Sequence, residues 1–138
     1  MEQKDKYKLY LLTAVLDIGF IYVLIKKNIP YIDKYWLYTS LFSHAIFFYA
    51  LKYHNRKILD YLHYMVFILI ATSLMTKTIY VKNLCLFLLI IMQFLWIIEG
   101  RCILNEKDHS LDYNGISGYF AIILTVALSF QIGKSLCN

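Results

Sequence analysis

The sequence predicts an all-α polytopic membrane protein, a compact bundle of about five transmembrane helices. Its composition supports this fold class, because 60% of the 138 residues are hydrophobic and only 17% are charged. Soluble domains average about 45–50% and about 25% respectively. The apolar residues fall into five long runs, each near the roughly 17–25 residues that a helix needs to cross a bilayer. A soluble fold of this size would expose much of this apolar surface to water, whereas a bilayer would cover it.

We expect a single integral membrane domain over residues 1–138, with one helix at each of the five runs. These helices are expected at about 9–25, 35–53, 58–76, 80–99 and 116–133. Asp17 interrupts the first run and no small-residue cleavage site follows it, so the run predicts a retained helix rather than a signal peptide. Pro30 marks the end of this helix.

Short polar separators delimit the other helices. The separator "HNRK" (54–57) divides the second helix from the third, and "KTIYVKN" (77–83) divides the third from the fourth. The fourth and fifth helices are joined by residues 100–115, which close on an Asn-Gly turn signal. Because these connections are short, successive helices are expected to lie antiparallel.

Five crossings place the two termini on opposite sides of the membrane. The N-terminal side then carries eight basic residues: Lys4, Lys6, Lys8, Lys52, Arg56, Lys57, Arg101 and Lys107. The other side carries six: Lys26, Lys27, Lys34, Lys77, Lys82 and Lys134. The positive-inside rule therefore favours an N-inside, C-outside orientation. The basic residues are scattered between apolar runs, which argues against nucleic-acid binding and leaves the lipid bilayer as the expected partner.

Two ionisable residues are expected near mid-membrane, Asp17 in the first helix and His44 in the second. A charge at that depth costs at least about 2.5–3.5 kcal/mol on insertion scales, so each residue needs an explanation. One hypothesis is an ion or proton path in which both titrate, with Gln93 of the fourth helix as a further member. The other is a hydrogen-bonded pair that fixes the two helices, with Gln93 bonding a neighbouring helix. Hydroxyl side chains one turn away extend a polar stripe on each helix: Thr13, Ser40 and Ser43.

The stretch "DYLHYMVF" (60–67) places Asp60 and His63 on one face of the third helix. Glu99 ends the fourth helix, which the topology brings to the same side of the membrane. Carboxylates and histidine bind divalent metals, so Asp60, His63 and Glu99 are candidate metal ligands. The four-helix di-metal pattern needs a second acid-x-x-His, which this sequence lacks. The alternative is that Asp60 caps the third helix while Glu99 pairs with Arg56, Lys57 or Arg101.

Small residues recur every four positions along the fifth helix: Ser117, Ala121, Thr125, Ser129 and Gly133. Such a face lets two helices approach closely. We expect it to pack inside the bundle. The alternative is contact with a second copy of the chain or with another membrane protein.

The cysteines do not predict a metal or catalytic site. The three cysteines show no zinc-finger spacing and no neighbouring base typical of a nucleophile. Cys85 and Cys137 are expected on the same side of the membrane. They are either free thiols or, if that side is oxidising, a disulfide. We expect no cofactor.

These features predict a small multi-pass protein that is a non-catalytic structural or accessory component of a membrane assembly. Its preference for residues with AT-rich codons indicates an AT-rich genome, such as that of a large DNA virus, an organelle or an AT-rich microbe, and we expect the assembly to be viral or organellar. One alternative is a small ion- or proton-coupled channel or transporter that uses Asp17 and His44. Another is an intramembrane metal-dependent enzyme that uses Asp60, His63 and Glu99.

Overall fold

The computed structural model describes residues 3–26, 28–99 and 116–137. These residues contain five α-helices: α1 Gln3–Lys26, α2 Tyr31–Lys52, α3 Arg56–Ser73, α4 Ile79–Glu99 and α5 Ile116–Cys137. The described ranges contain no strand, so the prediction of an all-helical fold is confirmed for them. The long separator at 100–115 lies outside the described residues.

Two helix starts are set by specific residues that the apolar runs do not reveal. The carbonyl of Pro30 accepts the backbone N–H groups of Asp33 at 3.0 Å and Lys34 at 3.1 Å. Pro30 therefore starts α2 as well as ending the connection from α1, and α2 begins earlier than expected. At the start of α3, the Asn55 side chain accepts the Ile58 N–H at 3.3 Å, which satisfies one of the free donors of the first turn.

The helices form a four-membered ring with a fifth helix outside it. In the ring, α1 contacts α2 and α4, and α3 contacts α2 and α4. The α5 helix packs mainly along α4 and also touches α3. Because the described connections in the ring are short, its successive helices run in opposite directions.

Three apolar cores hold this arrangement together. The core shared by α3, α4 and α5 contains Ile70, Cys85, Leu89, Trp96, Ala121, Leu124 and Leu128. The core at the N-terminal end of α1 contains Leu9, Phe47, Ala50, Leu51, Leu59 and Leu62. The core at the opposite end of α1 contains Phe20, Val23, Ile29, Leu37 and Val81. The middle of the ring, between the last two cores, is where the candidate polar site lies.

Among the described residues, three helices are long and apolar enough to cross a membrane, where the sequence predicted five. These segments are Asp5–Ile25, Ile79–Glu99 and Gly118–Cys137. The α3 helix falls short because its 18 residues include Arg56, Lys57 and Asp60. The α2 helix falls short because tyrosine, serine and histidine lower its mean hydropathy.

The outward faces of all five helices nevertheless carry large apolar and aromatic side chains. On α2, Tyr38 is 59% exposed and Phe42 68%, and on α3 Ile68 is 54% exposed. On α5, Val126 is 64% exposed and Phe130 72%. Apolar surface this extensive is unusual on a soluble monomer and is compatible with a lipid environment.

The packing of α5 generates a paired prediction. Ala121 is fully buried, whereas a side chain at Gly133 would meet nothing within 4 Å. We expect Ala121→Leu to lower the free energy of unfolding by about 1–3 kcal/mol through overpacking. The matched change Gly133→Leu should alter it by less than about 0.5 kcal/mol. Denaturant unfolding of the purified chain in detergent measures both, and equal losses would contradict this packing of α5.

Candidate functional site

A polar pair joins α1 to α2 in the middle of the ring. Asp17 Oδ1 lies 2.5 Å from His44 Nδ1, and the two side chains are 19% and 13% exposed. The His44 ring stacks on Phe20 at 5.7 Å between ring centroids, with 19° between the planes. Phe20 in turn meets the edge of Trp36 at 5.7 Å. The structure thus brings together the two residues that the sequence singled out as candidates for a polar pair, with aromatic rings on one side.

The neighbouring hydroxyls do not extend this pair into a longer polar stripe. Ser43 donates to the Thr39 carbonyl at 2.9 Å, and Ser40 donates to the Trp36 carbonyl at 2.9 Å. Serine side chains commonly bond the carbonyl four residues earlier in their own helix. These two hydroxyls are therefore satisfied within α2 rather than by another helix.

A cavity of about 100 Å³ lies beside the pair, between the four helices of the ring. Its polar lining comes from His44 and Ser43 of α2, Thr13 of α1 and His63 of α3. The rest of the lining is aliphatic, aromatic or methionine. His63 is only 4% exposed and meets the edge of Phe67 at 5.7 Å. The shared cavity for His44 and His63 is a feature that the sequence did not predict.

The three candidate metal ligands do not form a ligand group. Asp60 is exposed, His63 lines the cavity, and the Glu99 carboxylate forms an ion pair with Lys8 of α1. Lys8 also lies 3.9 Å from Asp5. Within residues 3–26, 28–99 and 116–137, no group of three or more His, Cys, Asp or Glu could hold a metal ion.

The cap expected at Asp60 is provided by another residue. The N-cap of α3 is Asn55, and Asp60 lies in the second turn of that helix. Cys85 is buried, Cys137 is exposed, and both are free thiols. Asp60 therefore does not cap α3 in this structure. Cys85 and Cys137 do not form the disulfide that was one of the two alternatives.

A second polar contact joins α4 to α5. The side-chain amide nitrogen of Gln93 donates to Thr125 Oγ1 at 2.7 Å, and Thr125 donates to the Ala121 carbonyl at 2.8 Å. Ala121 and Thr125 of the small-residue face therefore lie towards α4. Ser129 and Gly133 are exposed, and the side chain of Ser117 lies outside the described part of the chain.

The buried carboxylate of Asp33 was not among the residues singled out from the sequence. It is fully buried at the start of α2 and accepts the backbone N–H groups of Lys77 at 3.0 Å and Thr78 at 2.7 Å. These donors lie directly before α4, where helix N–H groups have no partner in their own helix. One available signal was that Asp33 is the sole acidic residue between Asp17 and Asp60.

Trp36 adds a bond between α2 and α3. Its indole Nε1–H lies 3.1 Å from the Leu69 carbonyl and 3.2 Å from Thr72 Oγ1. Buried indole N–H groups usually find a partner of this kind. The polar atoms described so far therefore mostly serve contacts between helices.

Comparisons of the chain with protein-family models, with curated proteins and with solved structures give no match.

Removing the Asp33 carboxylate tests its role as a cap for α4. Asp33→Ala leaves two buried N–H groups without their acceptor, so we expect a loss of about 1–3 kcal/mol in the free energy of unfolding. Asp33→Asn, which keeps one acceptor oxygen, should lose less. Asp60→Ala removes an exposed carboxylate and serves as the matched control. Unfolding in detergent gives the three values, and equal losses for Asp33→Ala and Asp60→Ala would refute the cap.

A double-mutant cycle measures the Asp17–His44 contact. We expect Asp17→Ala and His44→Ala together to cost about 1 kcal/mol less than the sum of the single changes, since polar pairs between membrane helices have coupling energies of this order. The control cycle combines His44→Ala with Thr125→Ala, on helices without a main contact, and should be additive within about 0.5 kcal/mol. Additivity in the first cycle would show that the pair does not stabilise the bundle.

Proposed function

We propose that the chain is a multi-pass integral membrane protein that acts as a non-catalytic structural or accessory component of a larger membrane assembly. The observation that carries this proposal is that interior polar side chains form hydrogen bonds between helices. Asp17 bonds His44, Asp33 bonds the start of α4, and Gln93 bonds α5. Polar side chains used in this way fix which helices pack together in a bilayer.

The lengths of α2 and α3 and the side chains on their outer faces are compatible with these two helices also crossing the membrane. Their 22 and 18 residues correspond to about 33 and about 27 Å of helix, against about 30 Å of hydrocarbon. Some of the polar residues that lower their hydropathy, such as His44 and His63, lie towards the interior, whereas the charged residues Arg56, Lys57 and Asp60 of α3 are exposed in its first two turns. Tyr38 and Phe42 of α2 and Ile68 of α3 are exposed on the outside. These features support a bundle in which α2 and α3 also cross the membrane.

The α5 helix is the element best placed to bind another membrane protein. It buries 17% of its spanning segment within the chain, against 28% for α1 and for α4. Its exposed residues include the large apolar Val126 and Phe130 and the small Ser129 and Gly133. Small residues beside large apolar ones permit close helix packing in lipid. A partner helix or a second copy of the chain would therefore bind here.

An ion or proton path is the second candidate, and one observation favours it. His44, bonded to Asp17, lines the same cavity as His63 and Thr13. Titratable side chains that share an interior cavity are typical of proton relays in membranes. The metal-dependent enzyme has no comparable support, because no group of three or more His, Cys, Asp or Glu among the described residues could hold a metal ion.

Flux and assembly measurements distinguish the two candidates. We expect proteoliposomes of the wild-type chain to hold a proton gradient, with no change in Asp17→Asn or His44→Ala. The exposed variant Asp60→Asn controls for the loss of a carboxylate. In the native membrane, the chain should migrate in a complex larger than its 16.4 kDa monomer. Proton flux that Asp17→Asn or His44→Ala abolishes would establish the path instead, and migration as a monomer would reject the assembly.

A further inference from the structure

One end of the bundle carries lysines from three helices, and we call it the lysine end. The lysines whose side chains the structure describes there are Lys34 near the start of α2, Lys77 and Lys82 around the start of α4, and Lys134 near the end of α5. The starts of α2 and α4 lie together because Asp33 bonds the backbone of Lys77. The four lysines therefore belong to one face of the molecule if α5 also ends there.

The contact between α4 and α5 places the end of α5 at this face. Gln93 bonds Thr125. The ring of Phe67 lies beside both Trp96 and Phe120, which are three residues after Gln93 and five residues before Thr125, so α4 and α5 run in opposite directions. From that bond, Lys82 lies about 17 Å back along α4 and Lys134 about 14 Å forward along α5, at 1.5 Å per residue. The two lysines are therefore at similar depth.

Acidic residues are nearly absent from the lysine end. The sequence has one acidic residue between Asp17 and Asp60, which is Asp33, and none between Asp60 and Glu99. Asp33 is fully buried, and both its oxygens bond backbone N–H groups. The exposed charge of the described residues at this end is therefore entirely positive.

The opposite end is neutralised to a much greater extent. Its described basic residues share the face with three carboxylates: Asp5, Asp60 and Glu99. Lys8 pairs with Glu99 and lies 3.9 Å from Asp5. This end has more Lys and Arg residues than the lysine end, but its carboxylates offset part of their positive charge. The lysine end is consequently the better site for an anionic ligand.

Tyrosines place the lysine end at the level of lipid headgroups. Tyr31, Tyr35 and Tyr80 are exposed there, and the hydroxyls of Tyr31 and Tyr35 lie 3.1 Å apart. Tyrosine rings concentrate at the membrane–water interface. Lys34 and Lys82 are half-buried, as expected for lysines whose stems lie along apolar surface while the ammonium group reaches the interface.

We propose that the lysine end binds anionic phospholipid headgroups and lies in the leaflet that contains them. The ligand chemistry is a phosphate diester next to a hydrocarbon surface, which matches the ammonium groups and the tyrosine rings. This proposal rests on the membrane location proposed above. It places the end of α5 on the anionic side, opposite to the orientation expected from the counts of Lys and Arg.

Two matched double variants of the full chain test the headgroup site. Lys77→Gln with Lys134→Gln removes two exposed lysines from the lysine end, and Lys52→Gln with Lys57→Gln removes two exposed lysines from the opposite end. The ligands are phosphatidylglycerol, phosphatidylcholine and inorganic phosphate, titrated into the chain in neutral detergent with the melting temperature as readout. We expect only phosphatidylglycerol to raise it. The apparent affinity of the chain for phosphatidylglycerol should fall about fivefold for each lysine removed from the lysine end. It should fall less than about twofold in the double variant at the opposite end.

Salt gives a test of the wild-type chain that needs no variant. Raising the ionic strength from about 0.1 to 1 M shortens the Debye length from about 10 to about 3 Å, so the selectivity for phosphatidylglycerol should disappear. An equal response to phosphatidylcholine, a response to inorganic phosphate, or equal losses in both double variants would each overturn the proposal. A headgroup response in a chain that migrates as a monomer would reject the assembly function and leave this site intact.

Cys137 reports the leaflet in whole cells with an anionic cytoplasmic leaflet. It is exposed at the lysine end, whereas Cys85 is buried. In a Cys102→Ser background, we expect an impermeant maleimide to label Cys137 only after permeabilisation. Labelling of intact cells would overturn the placement of this end in the anionic leaflet.

Discussion

The carboxylate of Asp33 joins the start of α2 to the start of α4, and the rest of the bundle depends on that contact. It accepts the N–H groups of Lys77 and Thr78 at 3.0 and 2.7 Å. A helix start has N–H groups without a partner in their own helix, and Asp33 supplies acceptor oxygens from a fully buried position. With α4 held in this way, α3 is confined between its two neighbours and the ring closes. The same contact sets the position from which Gln93 reaches Thr125 of α5.

Bonded interior polar side chains explain part of the low mean hydropathy of α2, whereas in α3 the exposed residues Arg56, Lys57 and Asp60 lower it. In α2, the Ser40 hydroxyl bonds its own helix, His44 bonds Asp17 and Trp36 bonds α3. Each of these residues lowers the mean hydropathy of α2 without presenting an unbonded polar group to lipid. Hydropathy measures composition along the chain, whereas lipid contacts only the outward face. The mean hydropathy of a helix and the hydropathy of its outward face therefore differ most in helices whose inward side chains bond other helices.

The number of helices could be predicted from the sequence, because it follows from the positions of the apolar runs. The contact of Asp33 with the start of α4 could not, since it joins residues 44 and 45 positions apart on helices that are not consecutive. Grouping Asp60 with Glu99 failed for a different reason. Residues at the same end of a bundle can point in different directions around their helix axes, and the end alone does not predict that direction. The Glu99 side chain points towards Lys8 of α1.

The lining of the central cavity bears on whether this bundle can conduct. Most of the side chains that line it are apolar, and waters in a cavity need polar partners. A conducting path would therefore need the ring to open beside His44, where the polar side chains lie. Because His44 is bonded to Asp17 at 2.5 Å across the α1–α2 contact, opening there would stretch or break that bond. The same bond that stabilises the bundle would then act as the gate, so a structural role and an ion path require different states of one residue pair.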